Sequence, residues 1–585
     1  PITIDGLTMR DGYTNEYDGG GAIYAAGPLT VTGSSFVSNT VMGYDESRGH
    51  GGAISFAGSN THALVISGTS FLSNTAAIAG GALSVANGTL VLDDSILTGN
   101  AAFGLGRWGG ALICDTCGFT IDGATFSNNQ AVKGGAFYIT DKNIHYSIIT
   151  GSTFQGNQAA PDGDGEGGAI YIDVYEGITI TGTTVLSNAA GSGGGLYINS
   201  IGLDEGGLDL RNSQVAGNTA AAQGGGIFNQ GWLRILEGTT FSANSAVIGG
   251  ALYDVGWLSV SASSFFSNTA KNGGAITVDQ QNTNAYIGSS VFGGNSSDCN
   301  GGALAAAAPV TVEMSELYGN QAGLACSELA LGGAIYVENA LWLTVSAVHD
   351  NVSAVAGGAI GILGNLNSPK TVEIRGSAIF SNSATMAGAV AIGGPSVTRI
   401  EQSSIYSNTA TMVGGIASGY GGATIDIVNS TLAGNSSGYM ASALLVAGGN
   451  ALEDNAGFGP DTLTLRNVTI AGNDRLGINA QNGDGFGAFA NTDVGGKTAT
   501  VGITNTIIAG GANEQSCYTG PLAIGSVPAA VSNLDNDGTC GSNFTQSDTI
   551  LLGPLGDYGA VLQSGSIGGA TPVTPTLVVF PLLPG

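Results

Sequence analysis

One pattern limits what this chain can fold into: an apolar residue three positions before an asparagine, written again and again. It stands in Gly27–Gly43 as GPLTVTGSSFVSNTVMG, in Leu64–Asn74 as LVISGTSFLSN, in Thr120–Asn129 as TIDGATFSNN and in Val260–Asn268 as VSASSFFSN. A glycine motif alternates with it: GGGAIY from Gly19, GGAISF from Gly51, GGALSV from Gly80, GGAL from Gly109, GGAFYI from Gly134 and GGAIYI from Gly167. It returns at Gly193, Gly224, Gly249, Gly273, Gly301, Gly332 and Gly357, then weakens to AGAVAI from Ala387 and ASALLV from Ala441. The period is about 24–33 residues, the size of one unit in a repeat architecture. That self-similarity overrides the three or four globular domains that a length of 585 residues would otherwise suggest.

Each unit reads as three short strands: one after the glycines, one alternating apolar and polar such as LTVTG, and one leading into the asparagine. No helical period lies between them, and the same strands recur in the same order, which suits coiling in one direction. The expected fold is all-β, a single-domain parallel β-helix, or solenoid, of about twenty coils. At a coil rise of about 4.8 Å this gives a rod on the order of 95 Å long. Repeats are expected over residues 1–500, with terminal coils and a closing segment over residues 501–585.

Stacking places each motif residue over its copy in the next coil. Phe36, Phe71, Phe126, Phe154, Phe241, Phe265 and Phe292 then point inward. The corner after them carries Asn39, Asn74, Asn100, Asn129, Asn157, Asn188, Asn218, Asn244, Asn268, Asn295, Asn320, Asn351, Asn382, Asn408, Asn435 and Asn473. Asparagine tolerates left-handed backbone angles and carries both donors and acceptors, so it can turn the chain and bond the asparagines above and below it. The paired glycines mark the opposite corner, where positive φ or close backbone approach forbids a Cβ.

Charge excludes some partners. The formal charge is −28, from 42 acidic against 14 basic residues, which repels phosphate backbones and anionic lipid. No basic stripe suits nucleic acid, and no apolar run approaches the roughly 20 residues a membrane helix needs. The chain opens at Pro1 inside a strand-like ITIDGLTMRDG, without an initiator methionine or signal peptide, and reads as a processed or trimmed product.

The six cysteines fall into local pairs. Cys299 and Cys326 follow the corner asparagines of successive coils, so stacking can bring their Cα atoms within the roughly 4.4–6.8 Å of a disulfide. Cys517 and Cys540 flank a loop near the end. Cys114 and Cys117 form a C-x-x-C, read as a disulfide, with a redox pair or half a metal site as alternatives. Structural disulfides suit an exported protein. No cofactor is expected. DGDGEGG from Asp162 and LDNDGTCG from Leu534 have the alternating carboxylates of calcium loops but lack the closing glutamate of an EF-hand, so acidic, glycine-rich solvent loops are the preferred reading and calcium the alternative.

A glycan lyase would need clustered aspartates with a nearby basic residue, and a hydrolase would need carboxylates converging on one groove. Basic residues here are scattered, and Trp108, Trp232, Trp257 and Trp342 share no single repeat position, so the chain reads as non-enzymatic. The densest basic region has a structural reading. Counting back from Asn382 and Asn408 sets Glu373 beside Arg399 and Arg375 beside Glu401, two cross-coil ion pairs contributing about 0.2–1 kcal/mol each.

The G-G-A-I and F-x-x-N motifs resemble those of chlamydial polymorphic outer-membrane proteins and related parallel β-helix surface proteins, and this resemblance implies a right-handed coil. NTIIAGGANEQSC from Asn505, VSNLDNDGTCG from Val531, LLGPLGDYGA from Leu551 and the segment GGATPVTPTLVVFPLLPG up to Gly585 are similar to the closing segment of the choice-of-anchor Q domain proteins. The resemblance implies export and life outside the cell or on its surface, without a defined reaction. No amphipathic capping helix precedes the first strand. The proline-punctuated TPTLVVFPLLPG can fold back as a cap or add to a neighbour as a strand. The expectation is a structural protein whose copies join end to end into filaments or a layer. The alternatives are an adhesin for a glycan or a surface partner, and a polysaccharide lyase or hydrolase.

Overall fold

In a computed structural model, the described residues run from 2 to 447 except 16–18, 44–48, 104–106, 142–146, 161–162, 175–176, 200–206, 280–283, 324, 327–329, 365–369 and 420. Beyond these they are 461–475, 489–492, 499–510, 516–519, 533–540, 542, 544–547, 556–557 and 578–579. The fold is all-β, a parallel β-solenoid of about 16 turns, with no helix among the described residues. Contacts divide it into two compact units, one of Pro1–Ala270 with Ala275–Gln280, the other of Lys271–Gly274 with Gln281–Gly585.

One coil of the first unit shows the plan. Ile54–Ala57 follows the glycines, Ala63–Ser67 alternates, Ser70–Leu72 carries the inward phenylalanine, and Thr75–Ala76 follows the corner asparagine. The next coil repeats them as Leu83–Ala86, Thr89–Asp93, Ile96–Thr98 and Ala101–Ala102, each pairing in parallel with its counterpart. The two-residue strand after the asparagine is a fourth element where three were expected. It was too short for alternation to reveal. Leu64, Ile66 and Phe71 are fully buried, while Val65 and Leu72 face out. The inward rings stack on their copies: Phe36 on Phe71 at 5.0 Å between centroids, Phe126 on Phe154 at 4.6 Å and Phe241 on Phe265 at 4.7 Å. In the second unit the corresponding row is Leu317, Val348, Ile379, Ile405, Leu432 and Ile470, all buried.

The two glycines of the corner have different reasons. Gly80 lies at φ 61°, the left-handed region. Gly81 does not, but a Cβ there would lie 2.0 Å from the carbonyl oxygen of Gly110 in the next coil. At the opposite corner the left-handed residue is the one before the asparagine, as at Ser73 (φ 53°) and Asn128 (φ 53°), and not the asparagine itself. The asparagine serves the corner through its side chain.

A hydroxyl column runs beside the asparagine column and was not anticipated. In the second unit Ser290 N–H donates to Ser315 Oγ, Ser315 N–H to Ser346 Oγ, Ser346 N–H to Ser377 Oγ and Ser377 N–H to Ser403 Oγ, at 3.1–3.2 Å. Each hydroxyl donates back to the carbonyl two residues earlier, as Ser346 does to Thr344 at 2.8 Å. Ser346→Ala would strand the buried N–H of Ser315, a loss of about 1–3 kcal/mol. A natural alanine, Ala124, already stands in the first unit's column, so we expect the low end, about 1 kcal/mol, read as a small fall in the urea midpoint.

Toward the end of the chain Val578–Val579 pairs antiparallel with Gly556–Asp557, so part of the closing segment does fold back. Pro575, Pro581 and Pro584 lie outside the described residues.

Candidate functional site

The asparagine column is continuous in each unit. In the first it runs from Asn39 to Asn268 and in the second from Asn295 to Asn473, with each side chain essentially inaccessible to solvent. Asn74 shows the geometry. Its N–H and Nδ2 both donate to Asn100 Oδ1, at 2.9 and 3.0 Å, and its Nδ2 also donates to the carbonyl of Phe36 in the preceding coil at 3.0 Å. Its own Oδ1 accepts the N–H and Nδ2 of Asn39. Both amide hydrogens and both lone pairs are used, the full capacity of the group. The second unit repeats this, for example at Asn351 and Asn382.

All three cysteine pairs are disulfides. The Cα separations are 5.5 Å for Cys114–Cys117 and 4.9 Å for both Cys299–Cys326 and Cys517–Cys540. The C-x-x-C is therefore closed on itself, and no cluster of metal-ligating side chains occurs among the described residues. The carboxylates beside Cys540 turn toward backbone. Asp535 accepts the N–H groups of Gly538 and Cys540, and Asp537 accepts those of Ser516 and Thr539. Burial would raise the Asp537 pKa, but hydrogen bonds from Thr539 and Ser516 outweigh it and hold the group below its ordinary value. In the other acidic loop Asp162 lies outside the described residues, and Glu166 forms an ion pair with Lys133.

The register of the basic region is the expected one: Glu373 lies opposite Arg399 and Arg375 opposite Glu401. The side chains choose differently. Arg399 turns along its own strand to Glu401 at 3.2 Å, and neither Glu373 nor Arg375 forms an ion pair among the described residues. Arg399 has Glu373 on one side, Asp426 on the other and Glu401 on its own strand. Exposed pairs of nearly equal, small energy do not fix one partner.

The outward faces carry groups that no motif announced. In the first unit Trp232 lies directly opposite Trp257, their half-buried rings stacked at 4.4 Å. Two of the four tryptophans thus share a repeat position after all. Beside them Asp209 bridges Arg234 and Arg211, and Arg211 reaches Glu237 at 2.9 Å. On another face Tyr138, Tyr171, Tyr197, Phe228 and Tyr253 form one column with centroid separations of 4.9, 5.2, 4.5 and 5.3 Å. Burial, first, pushes the phenols of the four tyrosines up; that of Tyr138 rises to about 12.

Two carboxylate arrangements come nearest to catalytic chemistry. Asp93 and Asp122 lie opposite each other on successive coils with Asp94 adjacent; desolvation, then Asp122 and Asp94, raise the Asp93 pKa. In the second unit His349 sits 3.0 Å from Glu316 and 2.7 Å from Asp350, between the rings of Tyr318 and Phe380. Burial would lower its pKa, but hydrogen bonds to Glu316 and Asp350 raise it overall, so the imidazolium persists to higher pH than usual. Its partners are 33 residues and one residue away in sequence, a spacing that only the coil length explains.

A further buried pair has a different character. Asp254, 1% exposed, accepts a 2.6 Å hydrogen bond from Asn229 Nδ2, while its second oxygen has no partner among the described residues. Burial pushes its pKa up to about 7, against the hydrogen bonds from Asn229 and the Gly256 backbone.

The fold and these columns define a class, the parallel β-solenoids built on short repeats. Residues 123–140 and 151–173 match the Chlamydia polymorphic membrane protein repeat. Those stretches contain two copies of the apolar-x-x-Asn and glycine-pair motifs, with Asn129, Asn157, Gly134 and Gly167 in place. No curated protein and no solved structure gives a match. Repeat and fold together fit a surface structural or adhesin-like protein. No helix among the described residues is long and apolar enough to cross a membrane.

Proposed function

We propose that this chain is a non-enzymatic structural solenoid of the cell surface or extracellular space, whose copies associate through their coil edges. The observation that carries the reading is the asparagine column: the repeated polar side chains are saturated by one another, so they hold coils in register and leave no valence for a substrate. Coils within the stack have their backbone groups paired on both sides, so association would run through a coil face that has no neighbour, where an unpaired strand edge adds to another by strand pairing. The closing segment's likeness to choice-of-anchor Q proteins and the disulfides support export. Protease shaving of intact source cells tests the location; peptides of this chain should appear before lysis, and their release only after lysis would overturn it. Sedimentation velocity over a dilution series tests association, with a single monomeric species at every concentration as the contrary result.

A second reading, an adhesin for a glycan, is favoured by the Trp232–Trp257 pair beside Asp209 and Arg234. Stacked aromatic faces with flanking charged hydrogen-bonding groups suit the apolar face and hydroxyls of a sugar. A glycan array with the Trp232→Ala variant distinguishes it: binding lost in the variant supports an adhesin, and no binding by the parent chain removes this reading.

A further inference from the structure

The fifth residue of the glycine motif decides whether one outward groove is filled or open. In the first unit that position supplies Tyr171 in GGAIY, and the aromatic column of Tyr138 to Tyr253 covers the groove with the chain's own rings. In the second unit the motif reads GGAIY only at Tyr336. The next coils place Gly361, Ala391 and Ala417 in direct register, and Leu445 follows. Gly361, Ala391 and Ala417 thus carry no ring at the position where, in the first unit, the rings from Tyr138 to Tyr253 stack in succession; Ala305 and Leu445 of the second unit carry none either.

A cleft of about 90 Å³ opens there. Ala391 and Ala417 form its floor, Leu363, Met386 and Met412 stand around it, and Leu445 closes one end. Among the described residues no charged side chain lines it. Leu363 and Met386 are 37% and 38% exposed, so two large apolar side chains face water at its rim. The Gly361 level is already occupied: a Cβ there would lie 2.7 Å from Leu331 Cβ. The open levels are those of Ala391 and Ala417, spaced by one coil.

We propose that this cleft binds a small uncharged molecule carrying a planar aromatic ring system, whose rings take the places left by Ala391 and Ala417. The first unit supplies the template, because rings of the chain itself stack at this motif position at the coil spacing. Thioethers of Met386 and Met412 suit ring faces and edges, and methionine adapts to irregular ligands. The absence of charged lining selects against ionic ligands, which would lose hydration without compensation.

The test is fluorescence titration of the full chain with the neutral probe N-phenyl-1-naphthylamine. Saturable one-site binding is expected. Ala391→Phe and Ala417→Phe, which rebuild the missing rings, should each weaken it at least tenfold without lowering the thermal midpoint. Met386→Lys charges the rim at an exposed residue and should also weaken binding tenfold, which keeps the test decisive if a phenylalanine variant misfolds. Naphthalene should displace the probe and decanol should not. Binding unchanged in Met386→Lys and in the folded phenylalanine variants, no saturable binding, or displacement by decanol as effective as by naphthalene would each overturn the proposal.

Discussion

Asn129→Ala should be among the most damaging single substitutions in the first unit, costing about 3–5 kcal/mol. Asn129 Oδ1 accepts the backbone N–H and Nδ2 of Asn100, while its Nδ2 donates to the Leu97 carbonyl and Asn157 Oδ1, all at 2.9–3.0 Å. Alanine strands two N–H groups of Asn100 where no water reaches, at about 1–3 kcal/mol each, and leaves a small cavity. Asn129→Asp sharpens the argument. Its carboxylate still accepts from Asn100 but offers no donor to Leu97 or Asn157, and it buries a negative charge among oxygens. At pH 7 it should be at least as destabilising as alanine. Its native pKa must be raised, so the protein with this variant regains stability as pH falls and the group protonates. Urea unfolding at pH 7 and pH 5 measures both effects. If Asn129→Ala costs less than 1 kcal/mol, the column is ornament rather than the element that sets register.

Coil architecture was legible because its chemistry is carried by single residue types at fixed offsets. Asparagine, the glycine pair and the inward phenylalanine each have one structural reason, and repetition averages away local exceptions such as Leu97 in place of phenylalanine. Cys299 and Cys326 could be paired in advance for the same reason, since both follow a ladder asparagine. The hydroxyl column was equally visible in GSSF, GTSF and DSIL, but it lies one strand earlier than the feature that anchored the reading. Gly361, Ala391 and Ala417 likewise stand at a fixed motif position, and only the filled column of the first unit gives their small size a meaning. Other features were not legible. The alignment of Trp232 with Trp257 and the meeting of His349 with Glu316 depend on the lengths of individual coils. The choice of Glu401 over Glu373 by Arg399 depends on rotamers separated by less than about 1 kcal/mol.

Asp254→Asn should change the pH dependence of stability more than any other conservative substitution. The native pKa is about 7 against an ordinary value of 3.8, so between these values the native state keeps a proton that the unfolded chain has released. Stability therefore falls as pH rises from about 4 to about 7 and levels off above, with a total loss on the order of 4 kcal/mol at about 1.4 kcal/mol per unit. Below about pH 4 both states are protonated and the group contributes no slope. Asparagine keeps an oxygen for Asn229 and cannot ionise, so the variant should be more stable than the parent at pH 8 and close to it at pH 4. Repeat proteins can unfold in parts, so the transition is best followed by tryptophan fluorescence, because Asn229 also donates to the Trp257 carbonyl. Equal slopes between pH 4 and pH 7 for parent and variant would mean that Asp254 is ionised in the folded chain, with water or an ion reaching the oxygen that has no partner among the described residues.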